Sequence, residues 1–403
     1  MCPHTVPAFA PSLPHRLWRR LPAQSRRHAL ARVTGWLAPR PDTGPVEPGI
    51  AIAGEFSRAS GLGEGARLMA KAAQAAGLPV WTIDLPALAD SRTDIPTGAP
   101  TLPPPHVPLV LHVNAPLLPL ALLRLPRTLT RQRPIIGYWA WELPTTPPDW
   151  RPAAACVTEV WTPSRFTASA LEPLLPGRVR VVPPALAEIR PNPSSRDRLS
   201  FGLPDDAIVV LVSFSLASSC ARKNPFGAIA AFRAAFGDRP DRILVLKLGH
   251  ADHAPKDHAR IATLIAGTPN IRLETRCLSP EDNHALIACA DIVLSLHRAE
   301  GFGLVLAEAM LLGKPVIATA WSGNTEFMDD GTVPIGHHLV PARDDRTVYR
   351  GTWAEPDVAE AAAALRCLAD SPSHRLRLGE TARNRALACL TAAPLLAAIK
   401  ALR

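Results

Sequence analysis

The chain has 403 residues, enough for two α/β domains, and its 47% hydrophobic and 20% charged content excludes a disordered protein. No apolar run reaches the roughly 18 residues of a membrane-spanning helix, and the proline-rich N-terminus predicts no secretory signal peptide. The seven cysteines are scattered without a Cys-x-x-Cys pair. This spacing favours buried thiols in a reducing cytoplasm over a disulfide framework or a zinc site.

The net charge of +9 lies entirely in the first half of the chain. Residues 1–200 hold 22 Lys and Arg against 13 Asp and Glu, whereas residues 201–403 hold 22 of each. Seven arginines fall within residues 1–40 and are interleaved with Trp18, Trp36 and several leucines. This basic lead-in, assigned to residues 1–45, suits an anionic membrane surface, and a tail packed on the first domain is the alternative. No nucleic-acid recognition motif accompanies the charge, so no nucleic-acid partner is predicted.

A βαβ unit opens the first domain. Strands are predicted over 50–53 and 80–83, with a helix over 66–76 between them. The glycine-rich segment before that helix, with Gly61 and Gly63, is predicted as a flexible turn able to approach a phosphate. A Gly-x-Gly pattern is a weak signal by itself. Further strands are predicted over 109–113 and 134–139.

The strand over 134–139 ends in Trp139-Ala-Trp141-Glu142. Two indole rings at a strand end suit stacking on a sugar face, and Glu142 suits binding hydroxyls or acting as a base. The alternative, that either Trp belongs to the core, has similar weight. Four nearby arginines are candidates for attracting an anionic acceptor: Arg124, Arg127, Arg131 and Arg133.

The second domain opens with a buried strand over 208–213, followed by Arg222 and Lys223 at the start of a helix. Cations are unfavourable at a helix N-terminus unless an anion accompanies them, so these two residues indicate an anion site. Strands follow over 243–248 and 271–273, and a helix over 280–289.

The most informative stretch runs from Ser295 to Thr319. It predicts a strand end, a tight turn, a helix over 304–312 and a buried strand over 315–319. The helix N-terminus offers free amides and a positive dipole end to a phosphate. Glu300 on the turn and Glu308 on the helix would repel that phosphate, so they are predicted to accept hydrogen bonds from sugar hydroxyls.

This stretch resembles the Glu-x7-Glu signature of GT-B glycosyltransferases of the family 4 type. The resemblance implies an α/β fold of two Rossmann-like domains facing a central cleft. It implies a donor site built from Gly301, Phe302, Gly303, Leu304 and Glu308, together with Gly61 and Gly63. Glu300, Lys223, Arg222 and Glu142 are then the catalytic candidates, and Trp139, Trp141, Arg124 and Arg127 the acceptor-binding ones.

The chain departs from the family pattern in two places. The family places an arginine near Ser218, a role that Arg222 would take instead. Trp139-Ala-Trp141-Glu142 stands where many members have a donor-contacting histidine, as in a sub-branch with Tyr-Trp-x-Trp-Glu. The predicted domains are 46–190 for the acceptor, 191–375 for the nucleotide sugar, and a C-terminal helix over 376–403 that packs back on the first domain. The final helical stretch, from Pro372 to Arg403, is predicted to be broken or kinked near Gly379 and Pro394.

The function expected from the resemblance is transfer of a mannose- or glucose-type sugar from a nucleoside-diphosphate sugar to a hydroxyl, with retention and without a cofactor or required metal. The basic first half favours a lipid-linked oligosaccharide as acceptor, in bacterial surface polysaccharide synthesis on the inner face of the plasma membrane. The alternatives are a non-catalytic binding protein of the same fold and a sugar-nucleotide epimerase or phosphorylase.

Overall fold

The computed structural model describes residues 20–42, 44–85, 102–344 and 348–403. Its core is two parallel six-stranded sheets flanked by helices, so the predicted α/β fold with two Rossmann-like domains is confirmed. The first sheet has the strand order β2-β1-β3-β4-β5-β6. Its strands are β1 (Ile50–Gly54), β2 (Val80–Asp84), β3 (Leu109–Leu111), β4 (Ile135–Tyr138), β5 (Glu159–Thr162) and β6 (Val179–Val181). Five α-helices accompany them within the described residues: α1 (Ala23–Leu37), α2 (Gly61–Ala75), α3 (Leu118–Arg124), α4 (Arg127–Thr130) and α5 (Arg165–Leu171).

The second sheet repeats this design with the order β12-β11-β10-β7-β8-β9. Its strands are β7 (Ile208–Ser215), β8 (Arg242–Gly249), β9 (Ile271–Glu274), β10 (Ile292–Ser295), β11 (Val316–Thr319) and β12 (Thr332–Ile335). An antiparallel hairpin of β13 (His337–Pro341) and β14 (Thr352–Pro356) follows. The helices are α6 (Cys220–Lys223), α7 (Pro225–Phe236), α8 (Pro255–Ile265), α9 (Pro280–Cys289), α10 (Leu304–Leu311), α11 (Val358–Asp370), α12 (Pro372–Cys389) and α13 (Ala393–Ala401).

The strands are short runs of apolar residues because helices cover both faces of each sheet. β1 and β11 are buried along their whole length. In parallel sheets all carboxyl ends point to one edge, and the loops that leave this edge form the ligand crevice. In the second domain these loops carry Arg222, Lys223 and Glu300. The fold therefore brings the predicted charged residues to one edge.

The described part of the basic lead-in, residues 20–42 and 44–45, contains a helix, α1. α1 packs on α3 and on a 3-10 helix over Pro148–Cys156, and buries Ala31, Thr34 and Gly35. Gly35 lies so close to Pro152 that a Cβ there would approach the Pro152 Cβ to 2.7 Å. The segment is therefore part of the first domain along α1, whereas Trp18 and the rest of residues 1–19 lie outside the described residues.

The predicted turn before α2 is wrong in its extent. The helix begins at Gly61, five residues earlier than expected, because the Ser60 side chain caps it by accepting a hydrogen bond from the Gly63 amide at 3.0 Å. Gly63 is buried, and a Cβ there would collide with the carbonyl oxygens of Glu55 and Arg58. Gly63 thus packs the loop that precedes the helix, while Gly61 stays exposed at the helix start.

The C-terminal segment divides between the two domains. α12 runs unbroken through Gly379 and packs on α10 of the second domain, so the break predicted at Gly379 is wrong. The break near Pro394 exists, because α13 is a separate helix. It joins the core of the first domain, where Leu395 and Ile399 pack with Ile50 and Ile52. Only this last helix packs back as predicted for 376–403.

The chain therefore crosses between the domains twice. The two crossings lie side by side, since the Ala187 amide donates to the Leu390 carbonyl at 2.9 Å. No helix in the described part of the chain is long and apolar enough to cross a bilayer.

Candidate active site

A buried histidine anchors the loop between β10 and α10. His297 is fully buried; its Nδ1 lies 3.0 Å from Ser295 Oγ, and its Nε2 lies 2.9 Å from Asn324 Oδ1. Burial lowers the pKa of His297, so the ring is neutral. A neutral ring fits Nε2–H donating to the amide oxygen of Asn324. The histidine therefore ties this loop to the turn that follows β11.

Two backbone contacts fix Glu300 itself. Its amide donates to Ser322 Oγ at 2.7 Å, and its carbonyl accepts from the Gly323 amide at 2.9 Å. Ser322 has a φ of +77°, a left-handed conformation that is uncommon for serine. The surrounding hydrogen bonds maintain this conformation, which places the Ser322 hydroxyl within hydrogen-bond distance of the Glu300 amide.

Four charged side chains from both domains meet at this loop. Lys223 Nζ donates to Glu300 Oε1, and Arg222 Nη1 lies 3.3 Å from Glu300 Oε2. Arg222 Nη2 lies 3.6 Å from Oε1 of Glu142, which comes from the first domain. Arg222 also donates to Ser218 Oγ at 2.6 Å. Its guanidinium thus lies beside the position where the family pattern places its arginine, and all four predicted catalytic residues are in one cluster.

The cluster shifts the protonation equilibria of its members. Burial raises the pKa of Glu300, but Lys223 and Arg222 outweigh burial and lower this pKa to about 2. For Lys223, burial lowers the pKa although the Glu300 carboxylate opposes it. For Arg222, burial disfavours the charge, but the Glu142 and Glu300 carboxylates outweigh burial and raise its pKa. At neutral pH Glu300 and Arg222 are therefore both ionised.

The second predicted carboxylate lies on the first turns of α10. Glu308 Oε1 is 3.7 Å from Nε2 of His284 on α9, and both side chains are largely buried. Burial raises the pKa of Glu308, against the opposing influence of His284. His284 Nδ1 accepts from the Asn192 amide at 3.1 Å, which leaves Nε2–H facing Glu308. Burial lowers the pKa of His284, but the Glu308 carboxylate outweighs burial and raises it.

The backbone at the start of α10 is open to close approach by a ligand. Its N-cap, Gly303, has a φ of +100° and no side chain to cap the first amides. Phe302 turns its ring into the core, 5.0 Å from the ring of Phe327. The predicted donor contacts of Gly301, Phe302, Gly303 and Leu304 would therefore be made by backbone atoms at the helix start, and they stay predictions.

The first domain packs directly against this loop. Ser164 Oγ donates to the Gly301 carbonyl at 2.7 Å, and Thr167 Oγ1 lies 3.5 Å from the same carbonyl. A Cβ at Gly301 would lie 3.3 Å from the Trp141 carbonyl oxygen. The glycine is needed here because the backbones of the two domains come this close.

The structure contradicts the sugar-stacking role predicted for the two tryptophans. Trp139 is fully buried and Trp141 is 3% exposed, and both lie edge-on to Trp150. The free face of Trp141 is covered by Tyr349, whose ring centroid lies 5.4 Å away in a stacked arrangement. A sugar has no access to either ring because the core and the second domain occupy both.

The predicted cluster of acceptor arginines is also partly corrected. Arg133 is 1% exposed, and its Nη1 donates to the Val107 carbonyl at 3.1 Å, so it supports the backbone of the first domain. Arg124, Arg127 and Arg131 are exposed at the ends of α3 and α4. They lie on the surface beside α1 rather than in the charged cluster, and their acceptor role stays a prediction.

Sequence reasoning missed the second layer of the site. His297, Ser322 and Asn324 orient the loop, and Tyr349 donates to Glu142 Oε2 at 3.3 Å. Arg298 forms two hydrogen bonds to Glu355 of β14, at 2.6 and 2.8 Å. A His directly after the mainly apolar run from Ile292 to Leu296 was the available signal. The described residues include no group of three or more His, Cys, Asp or Glu placed to hold a metal ion.

The Gly323 backbone provides a test of this packing. A Cβ at Gly323 would collide with the Gly301 carbonyl and lie 2.9 Å from Ser164 Oγ. We expect Gly323→Ala to lower stability by about 1–3 kcal/mol, as overpacking does, and to lower the thermal midpoint in calorimetry. Gly44→Ala, whose Cβ would meet only Asp42 at 3.4 Å, is the control. An unchanged midpoint for Gly323→Ala would contradict the close packing described here.

Comparisons with known proteins agree with this architecture. Residues 212–385 match the family model described as Glycosyl transferases group 1. The D-inositol 3-phosphate glycosyltransferase of Nocardioides sp. is 30% identical over 222 residues, which are 52% of this chain and 45% of that protein. The chain thus spans less than half the length of this relative.

Two solved structures have the same fold over most of the chain. Sucrose-phosphate synthase from Thermosynechococcus elongatus has a TM-score of 0.64 at 16% identity, covering 88% of this chain and 98% of that one. Anabaena HepE, solved in complex with UDP and glucose, has a TM-score of 0.60 at 14% identity, covering 88% of this chain and 100% of that one. Residues 212–385 therefore resemble the glycosyl transferases group 1 family, and the chain as a whole has the GT-B fold.

Proposed function

We propose that the protein transfers a glycosyl group from a nucleoside-diphosphate sugar to a hydroxyl acceptor. The observation that carries this proposal is the meeting of Arg222, Lys223 and Glu300 with Glu142 from the opposite domain, next to the start of α10. Two cations and a helix N-terminus suit a diphosphate, and carboxylates suit sugar hydroxyls. The site lies at the carboxyl edge of the second sheet, where ligands of such folds bind.

The proposed chemistry follows from where charge develops. When the bond between the anomeric carbon and the diphosphate oxygen breaks, the leaving group gains negative charge. Lys223, Arg222 and the amides of α10 would stabilise that charge without a metal ion. Glu300 would accept hydrogen bonds from the donor sugar, and Glu308 from the ribose. Retention of configuration, implied by the family resemblance, belongs to the same proposal.

UDP-glucose is the first donor to test, since HepE was solved with UDP and glucose. A thermal-shift screen of UDP, GDP and ADP with their glucose and mannose derivatives identifies the base. We expect one nucleotide series to raise the thermal midpoint, and labelled sugar to pass from that donor to an acceptor. A protein that no nucleotide stabilises and that transfers no label would contradict the proposal.

A lipid-linked oligosaccharide is the proposed acceptor, in surface polysaccharide synthesis at the inner face of the plasma membrane. The support is a group of exposed apolar side chains and arginines on or next to α1, α3 and α4, of which α1 and α3 pack against each other. Trp36 is 78% exposed and Val33 56% exposed. The other members are Leu21, Leu30, Leu37, Leu117, Leu123, Arg32, Arg124 and Arg127. Apolar anchors interleaved with cations suit an anionic bilayer surface.

These exposed apolar and basic residues lead to a prediction about vesicle binding. We expect the full-length protein to sediment with anionic lipid vesicles at low salt and to be released as salt is raised, because screening weakens the charge term. Replacing Val33 and Trp36 by Ser should reduce the bound fraction several-fold, since two apolar anchors are lost. Leu199→Ser, at an 82% exposed leucine of the second domain, is the matched control. Failure of the wild type to sediment at low salt would remove the membrane proposal.

A small soluble anion is the second acceptor class. It is favoured by the name of the Nocardioides relative, a D-inositol 3-phosphate glycosyltransferase. Incubation with labelled nucleotide sugar and a membrane extract separates the two classes. Label in the lipid fraction supports the lipid-linked acceptor. Label found only in a water-soluble product would overturn it and leave the transferase proposal standing.

A further inference from the structure

The carboxylate of Glu300 forms ion pairs with both cations of the cluster, Arg222 and Lys223. Lys223 Nζ donates to one of its oxygens, and Arg222 Nη1 lies 3.3 Å from the other. Glu142 adds a second carboxylate 3.6 Å from Arg222. The cluster therefore contains two positive and two negative charges, and its cations are already neutralised within the protein.

A diphosphate bound by Lys223 would lie next to the Glu300 carboxylate. Two anions at that separation repel each other strongly in a site that is largely shielded from water. Glu300 is only 8% exposed, so solvent does little to weaken this repulsion. A phosphate and the Glu300 carboxylate thus compete for the same ammonium group.

We propose that Glu300 is a built-in competitor of the diphosphate, displaced from Lys223 only while a donor sugar supplies it with hydroxyl partners. This inference rests on the proposed function and deepens its donor site. A sugar-bearing nucleotide satisfies both Lys223 and Glu300. A bare nucleoside diphosphate satisfies Lys223 but leaves the carboxylate with Arg222, without the sugar hydroxyls that would replace Lys223. After transfer, Glu300 returns to Lys223 and weakens the hold on the product diphosphate.

The local bonding allows this exchange by side-chain rotation. The backbone of Glu300 is held on both sides by Ser322 Oγ and the Gly323 amide, at 2.7 and 2.9 Å, so the loop itself stays in place. The Arg222 guanidinium is also fixed, because it donates to the Ala299 carbonyl at 2.6 Å and to Ser218 Oγ. Lys223 is more exposed, and its flexible chain is the one that changes partner.

Calorimetric titration of UDP and UDP-glucose, or of the nucleotide pair selected by the thermal-shift screen, tests the inference. Glu300→Gln keeps the shape of the side chain and removes its charge. We expect it to bind UDP about tenfold more tightly than the wild type, while its affinity for UDP-glucose rises less or falls. The control is Glu380→Gln, at an exposed glutamate on α12, which should leave both affinities unchanged.

Equal UDP affinity in the wild type and in Glu300→Gln would overturn the inference. If Glu300→Gln binds UDP-glucose more weakly than the wild type but binds UDP equally well, Glu300 contacts the donor sugar and does not compete with the diphosphate. If Glu300→Gln fails to fold, the same UDP titration is carried out with Glu300→Asp. Its shorter side chain keeps the charge but draws it away from Lys223, so UDP should again bind more tightly, and unchanged affinity refutes the competition. A folded wild type that binds no nucleotide would refute the proposed function and this inference with it.

Discussion

Lys223→Ala is expected to reduce glycosyl transfer by about 10- to 1000-fold, mainly through kcat. The ammonium group is proposed to stabilise charge that develops on the leaving diphosphate, and such charge is larger in the transition state than in the ground state. Loss of one charge-assisted hydrogen bond at a reacting centre has effects of this size. Steady-state kinetics with the labelled donor measures the change.

The control for Lys223 is Lys256→Ala, at an exposed lysine of α8 in the same domain. It should transfer sugar at the wild-type rate. Lys223→Ala also removes one ion-pair partner of Glu300 and leaves Arg222 as another, so its thermal midpoint must be recorded alongside the kinetics. Wild-type transfer by a folded Lys223→Ala protein would show that the site has been assigned to the wrong residues.

Glu308→Ala is expected to weaken the donor site by about 10- to 1000-fold as well, but through KM rather than kcat. A ribose contact is made equally in the ground state and in the transition state, so its loss changes binding more than chemistry. Glu308 lies on α10 with its Oε1 3.7 Å from Nε2 of His284. Titration of the nucleotide and donor kinetics measure the loss, with Glu380→Ala as the exposed control on α12. Unchanged KM and nucleotide affinity in Glu308→Ala would remove Glu308 from the donor site.

The sheets and the charged edge could be predicted from local sequence because each strand is a short apolar run with a turn signal behind it. The run before Glu300 and the strand over Val316–Thr319 are examples. Arg222 and Lys223 were predicted to meet an anion because cations are unfavourable at a helix start, although the structure places them at the end of α6, directly before α7. In the structure this anion is the Glu300 carboxylate. The pairing itself was not predictable, since 77 residues separate Lys223 from Glu300.

The positions of Trp139 and Trp141 were not decided by the sequence. An indole at a strand end suits a sugar face and a core equally well, and the outcome depends on what the second domain brings to it. Here it brings Tyr349, on the loop between β13 and β14, and that hairpin had no recognised sequence signal. The start of α2 was missed for a local reason, because glycines in a first turn resemble a loop until the Ser60 cap is identified.

The return of α13 to the first domain affects how the protein folds as it is synthesised. Ile50 and Ile52 of β1 pack with Leu395 and Ile399, so this part of the first core lacks its cover until the whole second domain has left the ribosome. Domains usually fold as units in the order of synthesis, but this one cannot be completed first. The apolar side chains of the first core that α13 helps to cover therefore stay partly uncovered throughout translation of the second domain.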